Sequence, residues 1–497
     1  MRSLVCALIA ACIALLTGAN CWCESGQEQW PCFMRDIRHT GLVPWLGPAE
    51  TPELKWVYQT DGIVSCSPVI DSAGRIYIGS DKFYCFNPDG SIAFTFMADD
   101  DISSTAAVSD DLGVFFGSYD HFFYWLTLDG ELVAKFDTDA YNDGPPTIGT
   151  DGSIYFGSRS ESIYAFKKDG TLNWSYDAYD WVVGPPTIAN DGTIYVGADD
   201  RRLYALAPYG ELLWSYIGYD WITGSAAIGP ENMIYVPSWD NTITCLDPEY
   251  GEIFWEYEAF DDIRSSPAVS ADGSIYFGSY DEDFYSITPE GRSKWSFDVG
   301  SPVYSSAAVD MDGNSYFGAF DGRLYSVDSN GNLRWTYETG SEIISSPALD
   351  AGGTLYFGTK SGAIYAIGSA TADFTPRVGL HLNKSTYSYS VGDMEGDTML
   401  AFYYIINPMH SILEADIYMA LLIDGELLYY PSLTPIPEVF ESDVQVEPLS
   451  LRRSGKLIDY TFPYGFPYSG GRWYICLAEP GTSNPISDIS SIDWEYE

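Results

Sequence analysis

The chain has 497 residues, 46% hydrophobic and 19% charged, the composition of a folded protein too long for one ordinary domain. Its 24 Lys and Arg stand against 70 Asp and Glu, and the resulting net charge of −46 excludes the phosphate-neutralising surface that a nucleic-acid binder needs. With 39 Tyr, 15 Trp, 47 Gly and 28 Pro, short strands and tight turns are favoured over helices, so an all-β protein is expected.

At the start of the chain, Arg2 precedes an apolar run from Leu4 to Leu16 and the small residues Thr17-Gly18-Ala19. This pattern predicts a signal peptide over 1–19 and an exported protein of the periplasm, cell surface or extracellular space. No later stretch approaches ~18 apolar residues, so no transmembrane helix is expected after signal removal. Cys21 is a competing lipid-anchor position, although Asn20 before it is a poor match to a lipobox. Residues 20–53 form an N-terminal segment carrying Cys21, Cys23 and Cys32, among which one or more bridges are expected in an oxidising compartment. Cys245 and Cys476 sit inside apolar strand patterns and are expected as buried thiols.

A repeat then takes over. Ser67-Pro68-Val69, Thr105-Ala106-Ala107, Pro145-Pro146-Thr147, Pro185-Pro186-Thr187, Ser225-Ala226-Ala227, Ser266-Pro267-Ala268, Ser306-Ala307-Ala308 and Ser346-Pro347-Ala348 recur about every 40 residues. Each start is followed by a turn signal, an alternating strand such as Ile275-Tyr276-Phe277-Gly278, a third strand, a Gly-containing turn and a fourth strand. Four short strands per 40-residue unit, repeated eight times, predict an eight-bladed β-propeller over 54–370. The last unit lacks its fourth strand, and Leu54-Lys55-Trp56-Val57-Tyr58 resembles the missing one, so the ring is expected to close by strand exchange.

Trp56, Trp174, Trp214, Trp255, Trp295 and Trp335 recur on the fourth strands, and Gly170, Gly210, Gly251, Gly291 and Gly331 precede the last five. A large indole can pack across a neighbouring blade where Gly lets backbones approach. This arrangement resembles the tryptophan-docking motif of PQQ-type (quinoprotein-like) propeller repeats, shared by quinoprotein dehydrogenases and the non-catalytic outer membrane assembly factor B. Phe94 and Ala134 depart from the pattern, which predicts that blades one and two are looser.

The resemblance implies that a quinoprotein would hold PQQ with a vicinal Cys pair and calcium with a Glu/Asn/Asp set. No Cys-Cys dipeptide occurs here, so neither PQQ nor calcium is expected, and no catalytic residue is assigned. Turns such as Asp310-Met311-Asp312-Gly313-Asn314 read as hairpin turns rather than metal loops. The four histidines, His39, His121, His381 and His410, are scattered singly and are expected as surface residues.

The connectors between blades are the candidate binding rim. In this repeat type they cap one mouth of the axial funnel. Five neighbouring connectors are acidic and aromatic: Asp99, Asp100 and Asp101; Asp139 and Tyr141; Tyr179, Asp180 and Trp181; Tyr219, Asp220 and Trp221; Phe260, Asp261 and Asp262. Aromatic and acidic chemistry side by side suits a cation, a basic peptide segment or a sugar. A bland alternative wedges the aromatics between blades and leaves the carboxylates solvated.

Residues 375–497 leave the repeat and read as strands, including Thr398 to Tyr403, Ile417 to Ile423 and Trp473 to Leu477, for which a β-sandwich resembling immunoglobulin-like modules is expected. The expected protein is an exported, non-catalytic binding or scaffold protein whose partner is an extracytoplasmic protein or glycan. An atypical PQQ-dependent oxidoreductase and a carbohydrate-binding envelope protein are the alternatives.

Overall fold

The computed structural model describes residues 30–369 and, beyond them, the strands Asp416–Ile423, Glu426–Tyr429, Thr434–Pro435, Gly471–Ala478 and Ser490–Trp494. The chain divides into two units, 1–372 and 373–497. In the first, eight four-stranded antiparallel sheets follow one another as the blades of a propeller. Blade one is Val69–Ile70, Ile76–Gly79, Phe83–Phe86 and Ile92–Phe96, hydrogen-bonded in that order. Blade eight takes Ala348–Leu349, Leu355–Gly358 and Ala363–Gly368 from its own repeat and Glu53–Gln59 from upstream. Trp56 faces Ala366 and Val57 faces Tyr365 across that seam. Strand exchange therefore closes the ring, and Glu53–Gln59 covers the edge that Ala363–Gly368 would otherwise leave unpaired.

Burial follows from the alternation written in the repeat. The second and third strands of each blade carry Ile-Tyr-x-Gly and Leu-Tyr-type runs that are buried on both faces, whereas the fourth strands alternate exposed and half-buried residues. Aromatic rings join blades face to face where repeats meet. Phe83 stacks on Phe116 at 4.1 Å, Phe123 on Phe156 at 3.8 Å and Phe284 on Phe317 at 3.8 Å.

Each fourth-strand indole lies on the turn of the following blade. Trp56, Trp174, Trp214 and Trp255 donate from Nε1 to the carbonyls of Pro88, Pro208, Pro248 and Pro289 at 2.9–3.1 Å, and Trp295 donates to Ser329. Gly251 shows why this column needs glycine. It adopts φ +69°, and a Cβ there would lie 2.4 Å from Trp214. Blade eight has no such turn because its fourth strand arrives from upstream, so Trp335 donates instead to Pro48 at 3.0 Å. Within each sheet the indole stands opposite a small residue, as Trp214 does opposite Ala205 and Trp255 opposite Cys245.

Blade two reverses this pairing: Trp125 stands opposite Ala134, and the Trp125 ring covers Gly170. The indole reaches the same turn from the third strand, which preserves the contact that Ala134 could not make. In blade one, Phe94 lies directly over Gly130.

The innermost strands are stitched to one another by the first residue of each repeat. Ser225 N–H donates to Ser266 Oγ, Ser266 to Ser306, Ser306 to Ser346, Ser346 to Ser67 and Ser67 to Thr105 Oγ1, all at 2.8–3.0 Å. Pro145 and Pro185 supply no side-chain acceptor, and this belt of hydroxyls is interrupted there.

Residues 30–48 do something the repeat does not announce. They run across the axis at the turn end of the innermost strands, the end opposite the connectors. Trp30 exchanges both backbone bonds with Ile70; Pro31, Ile37, Arg38, Thr40 and Gly41 then present their carbonyls to the N–H groups of Val108, Ile188, Ile228, Val269 and Val309. His39 bonds Thr147 and Thr187, and Trp45 Nε1 donates to the Leu349 carbonyl. Every blade is thus bonded to this segment. Its carbonyls satisfy inner-edge N–H groups that would otherwise face the axis unpaired.

His39 is buried completely, which corrects the expectation of a surface histidine. His121 lies on the loop at φ +76°, and His381 and His410 lie outside the described residues. Thr187 Oγ1 donates its hydrogen to the Ala226 carbonyl at 2.7 Å, so His39 Nδ1 must donate to it at 3.0 Å. Nε2 is left to accept from Thr147 Oγ1. Burial holds this imidazole neutral, with its pKa lowered from 6.5 to about 3.

Cys66, Cys85 and Cys245 are buried thiols. Burial pushes each of them up to about 12, the value expected of inert packing thiols. Cys66 accepts from Gly79 N–H, the place that Ser265 fills against Gly278 and Ser345 against Gly358. Cys21, Cys23 and Cys476, the signal segment and the lipid-anchor position lie outside the residues whose side chains are described.

In the second unit, the described strands form one antiparallel sheet in the spatial order Thr434–Pro435, Glu426–Tyr429, Asp416–Ile423, Gly471–Ala478, Ser490–Trp494. The expected strands at Ile417–Ile423 and Trp473–Leu477 fall within it. That expected at 398–403, and with it any second layer of a sandwich, lies outside the described residues.

Two predictions follow from the packing. Replacing the half-buried Trp214 by Ala leaves Gly251 uncovered and should cost about 2–3 kcal/mol of unfolding free energy in denaturant titration; a loss below ~0.5 kcal/mol would show that the docking contact is dispensable. For His39, the unfolded chain takes up a proton below about pH 6.5 while the folded chain does not until about pH 3. Its contribution is therefore complete above pH 6.5 and lost as the pH falls. The stability difference between wild type and His39→Gln should shrink by about 1.4 kcal/mol per pH unit between pH 6 and 4. Parallel curves would refute it.

Candidate functional site

The connector mouth is assembled from two columns of the repeat. The first is the third connector residue: Asp101, Tyr141, Trp181, Trp221, Asp262, Pro302 and Glu342. The second is the turn residue two places after the strand-ending Gly or Pro: Tyr119, Arg159, Asp199, Trp239, Tyr280, Phe320 and Lys360. Backbone bonds of 2.9–3.1 Å join the columns pair by pair, with Asp199 N–H donating to Trp181 O and Trp239 N–H to Trp221 O. The next connector residue anchors each loop. Val182, Ile222, Ile263, Val303 and Ile343 are buried, and Gly157 opposite Val182 has no room for a Cβ.

The rim residues divide into three groups. Tyr179, Tyr219 and Phe260 project outward, 75%, 81% and 88% exposed. The middle aspartates turn inward on their own loops: Asp100, Asp180, Asp220 and Asp261 accept from the following residue's N–H at 2.8–2.9 Å. They shape the connectors while remaining exposed or half-exposed to solvent. Asp99 leads its connector, its amide donating to Asp120, and Asp139 adopts φ +62°. Tyr141, Trp181 and Trp221 face the mouth, each more than two-fifths exposed.

Two arginines sit among these rings. Arg159 is held by both carboxylate oxygens of Asp143, with Nε 3.0 Å from Oδ2. Its guanidinium lies between Tyr141, 5.8 Å from the ring centre, and Trp181, 4.6 Å away. Arg264 pairs with Asp262 at 2.8 Å and lies 3.6 Å over Trp239 and 4.3 Å over Tyr280. Each such cation on an aromatic face contributes about 0.5–2 kcal/mol. Trp221 meets Trp239 at 4.8 Å, and the Trp239 indole donates to Thr223 Oγ1. Tyr304, with Tyr280 and Phe320 around it, completes the far wall.

Asp199 is the exception in its column. It is only 9% exposed, and its Oδ1 has no hydrogen-bond partner. Burial raises its pKa to about 6; the Asp180 carboxylate adds to the rise and Arg159 opposes it. A perturbed carboxyl beside aromatic connectors makes Asp199 a candidate position rather than a structural one.

The turn column was not singled out from the sequence. Its signal is present nonetheless: these residues occupy one register position after Ile-Tyr-x-Gly, and that position varies from Asp to Trp while its neighbours scarcely change. A repeat holds constant what builds the ring and is free to vary elsewhere.

A quinone held as the repeat resemblance implies would need a vicinal cysteine pair, and none is present among the described residues. Among the described residues no three His, Cys, Asp or Glu side chains converge as metal ligands, and Cys66, Cys85 and Cys245 are buried one by one. The Asp310 carboxylate is taken up by its own turn, by Tyr316 and by Gly47 N–H.

The Asp199 carboxyl offers a direct check. Its titration, followed by carbon NMR of labelled aspartate, should centre near pH 6 and move down in Asp180→Asn; an ordinary value near 4 in both proteins would remove its burial from the account of the mouth.

Among solved structures, BamB from Moraxella catarrhalis matches with TM-score 0.54 and 18% identity over 64% of this chain and 98% of that one. A europium-containing methanol dehydrogenase matches with TM-score 0.58 and 13% identity, over 69% and 98%. Quinohemoprotein alcohol dehydrogenase from Comamonas testosteroni matches with TM-score 0.60 and 14% identity, over 76% and 87%. At such identities the likeness is one of fold. A search of curated proteins returned no match. The family model for outer membrane protein assembly factor BamB matches residues 124–220 and 200–432, more than half of the chain. By that match, on a ring whose blades dock by indole and glycine, the chain belongs to the BamB-like family of PQQ-type propeller repeats.

Proposed function

We propose that this chain is an exported, non-catalytic scaffold that captures another protein at the connector mouth. The observation that carries the reading is the arc of Tyr141, Tyr179, Trp181, Tyr219, Trp221 and Phe260, all 41–88% exposed on four neighbouring connectors. Exposed aromatics clustered on one face of a rigid ring have the chemistry of an interface core, and the surrounding carboxylates give it a polar rim. The N-terminal segment closes the turn end of the axis, which leaves the connector end for recognition. The net charge of −46 favours a basic partner and speeds its encounter.

The family membership supports a role in assembling envelope proteins. Export to the periplasm or cell surface rests on the apolar run from Leu4 to Leu16. Replacing Asp180, Trp181, Asp220 and Trp221 together should abolish capture of the partner from envelope extract while the thermal transition is retained. Capture at the wild-type level by the folded variant would take the mouth out of recognition.

A further inference from the structure

Adjacent blades of the mouth handle the same aromatic walls in different ways. In blade three the chain fills the space between Tyr141 and Trp181 with its own cation, Arg159, neutralised by Asp143. Blade four places Asp199 at the equivalent turn position, between the connectors that carry Trp181 and Trp221. The inner-wall position that holds Asp143 in blade three, and Thr223 against Trp239 in blade five, is Val183 here, which offers no hydrogen bond. Blade four therefore keeps aromatic residues at both flanking connector positions, as its neighbour does, but puts a carboxyl, Asp199, in the place where the neighbour has its cation.

We propose that Asp199, with the faces of Trp181 and Trp221, is a binding position for an alkylammonium group, the side chain of a lysine on the partner protein. This rests on the connector mouth being the recognition face and names the chemistry it selects. The unpartnered Asp199 Oδ1 accepts the ammonium hydrogen bond, and the two indoles take its positive charge. The other charges around Asp199 are Asp180, Asp143 and Asp200, which attract the ligand, and Arg159, which Asp143 already neutralises. A proton competes with the ammonium for the same carboxyl, so binding is weakened in acid.

The test uses the full chain and three probes in calorimetry: a blocked peptide with one lysine, the same peptide with that lysine Nε-acetylated, and spermidine. The lysine peptide should bind at sub-millimolar concentration and the acetylated peptide should not. With the carboxyl titrating at about 6, affinity should fall about tenfold from pH 7.5 to pH 5. Asp199→Asn should lose at least tenfold in affinity at pH 7.5 and lose the pH dependence. Asp199→Arg should fill the space as Arg159 does, retain the thermal transition and abolish binding. Tighter binding of spermidine than of the peptide would assign the site to free polyamines and overturn the lysine partner. Equal binding of the acetylated peptide, or an unaffected Asp199→Asn, overturns the ammonium site. If neither amine binds while the quadruple connector variant still loses its partner, the mouth remains the recognition face and the ammonium assignment alone fails.

Discussion

A ring of sheets is stable only if each blade meets the next in the same way all round, since one poor junction opens the circle. In this protein that junction is an indole laid on a turn that has no side chain. The contact combines a hydrogen bond from Nε1 with burial of the ring face, and it needs a glycine at positive φ beneath it. The exceptions show how strongly it constrains the chain. Where Ala134 replaces the tryptophan, Trp125 supplies the ring from the neighbouring strand; where blade eight lacks the turn, Pro48 supplies the carbonyl. The expectation of looser packing in blades one and two overlooked this, because a contact can be kept by a residue in another strand.

The inner circumference presents a second constraint. Eight short strands converge on the axis with unpaired N–H groups at their ends, and the hydroxyl belt between repeat starts is broken by Pro145 and Pro185. The segment 30–48 answers both by winding past all the blades and bonding to each. It joins the seam made by Glu53–Gln59 as a second tie between the start of the chain and the ring. Its cost is a cluster of buried polar side chains, Asp36, Arg38, Thr40 and His39, each held by bonds within the segment or to the inner strands. Burial raises the Asp36 pKa and lowers those of Arg38 and His39, the direction expected when charge is withdrawn from water.

With the ring satisfied by these contacts, the connector mouth is free to vary. Its loops are fixed by a buried apolar residue and by backbone bonds to the neighbouring turns, so the intervening side chains can change without disturbing the fold. That is why Arg159, Asp199, Trp239 and Phe320 can occupy equivalent places. The same freedom lets the chain place cations of its own on two aromatic pairs and a carboxyl on the third.

The sequence by itself determined the blade count, the strand order, the exchange closure and the indole column, because each is written as a local period of about 40 residues that can be matched by inspection. It also marked the aromatic connectors. What only the tertiary structure decided involves residues from different blades or segments: the path of 30–48 across the axis, the laying of Trp125 on Gly170, and the approach of Arg159 to Trp181. The middle aspartates are a further case, since their carboxylates face their own loop amides once the loop is formed. Local periodicity dictates which residues share a strand, but a bond between His39 and Thr187 exists only when closure of the circle brings them together.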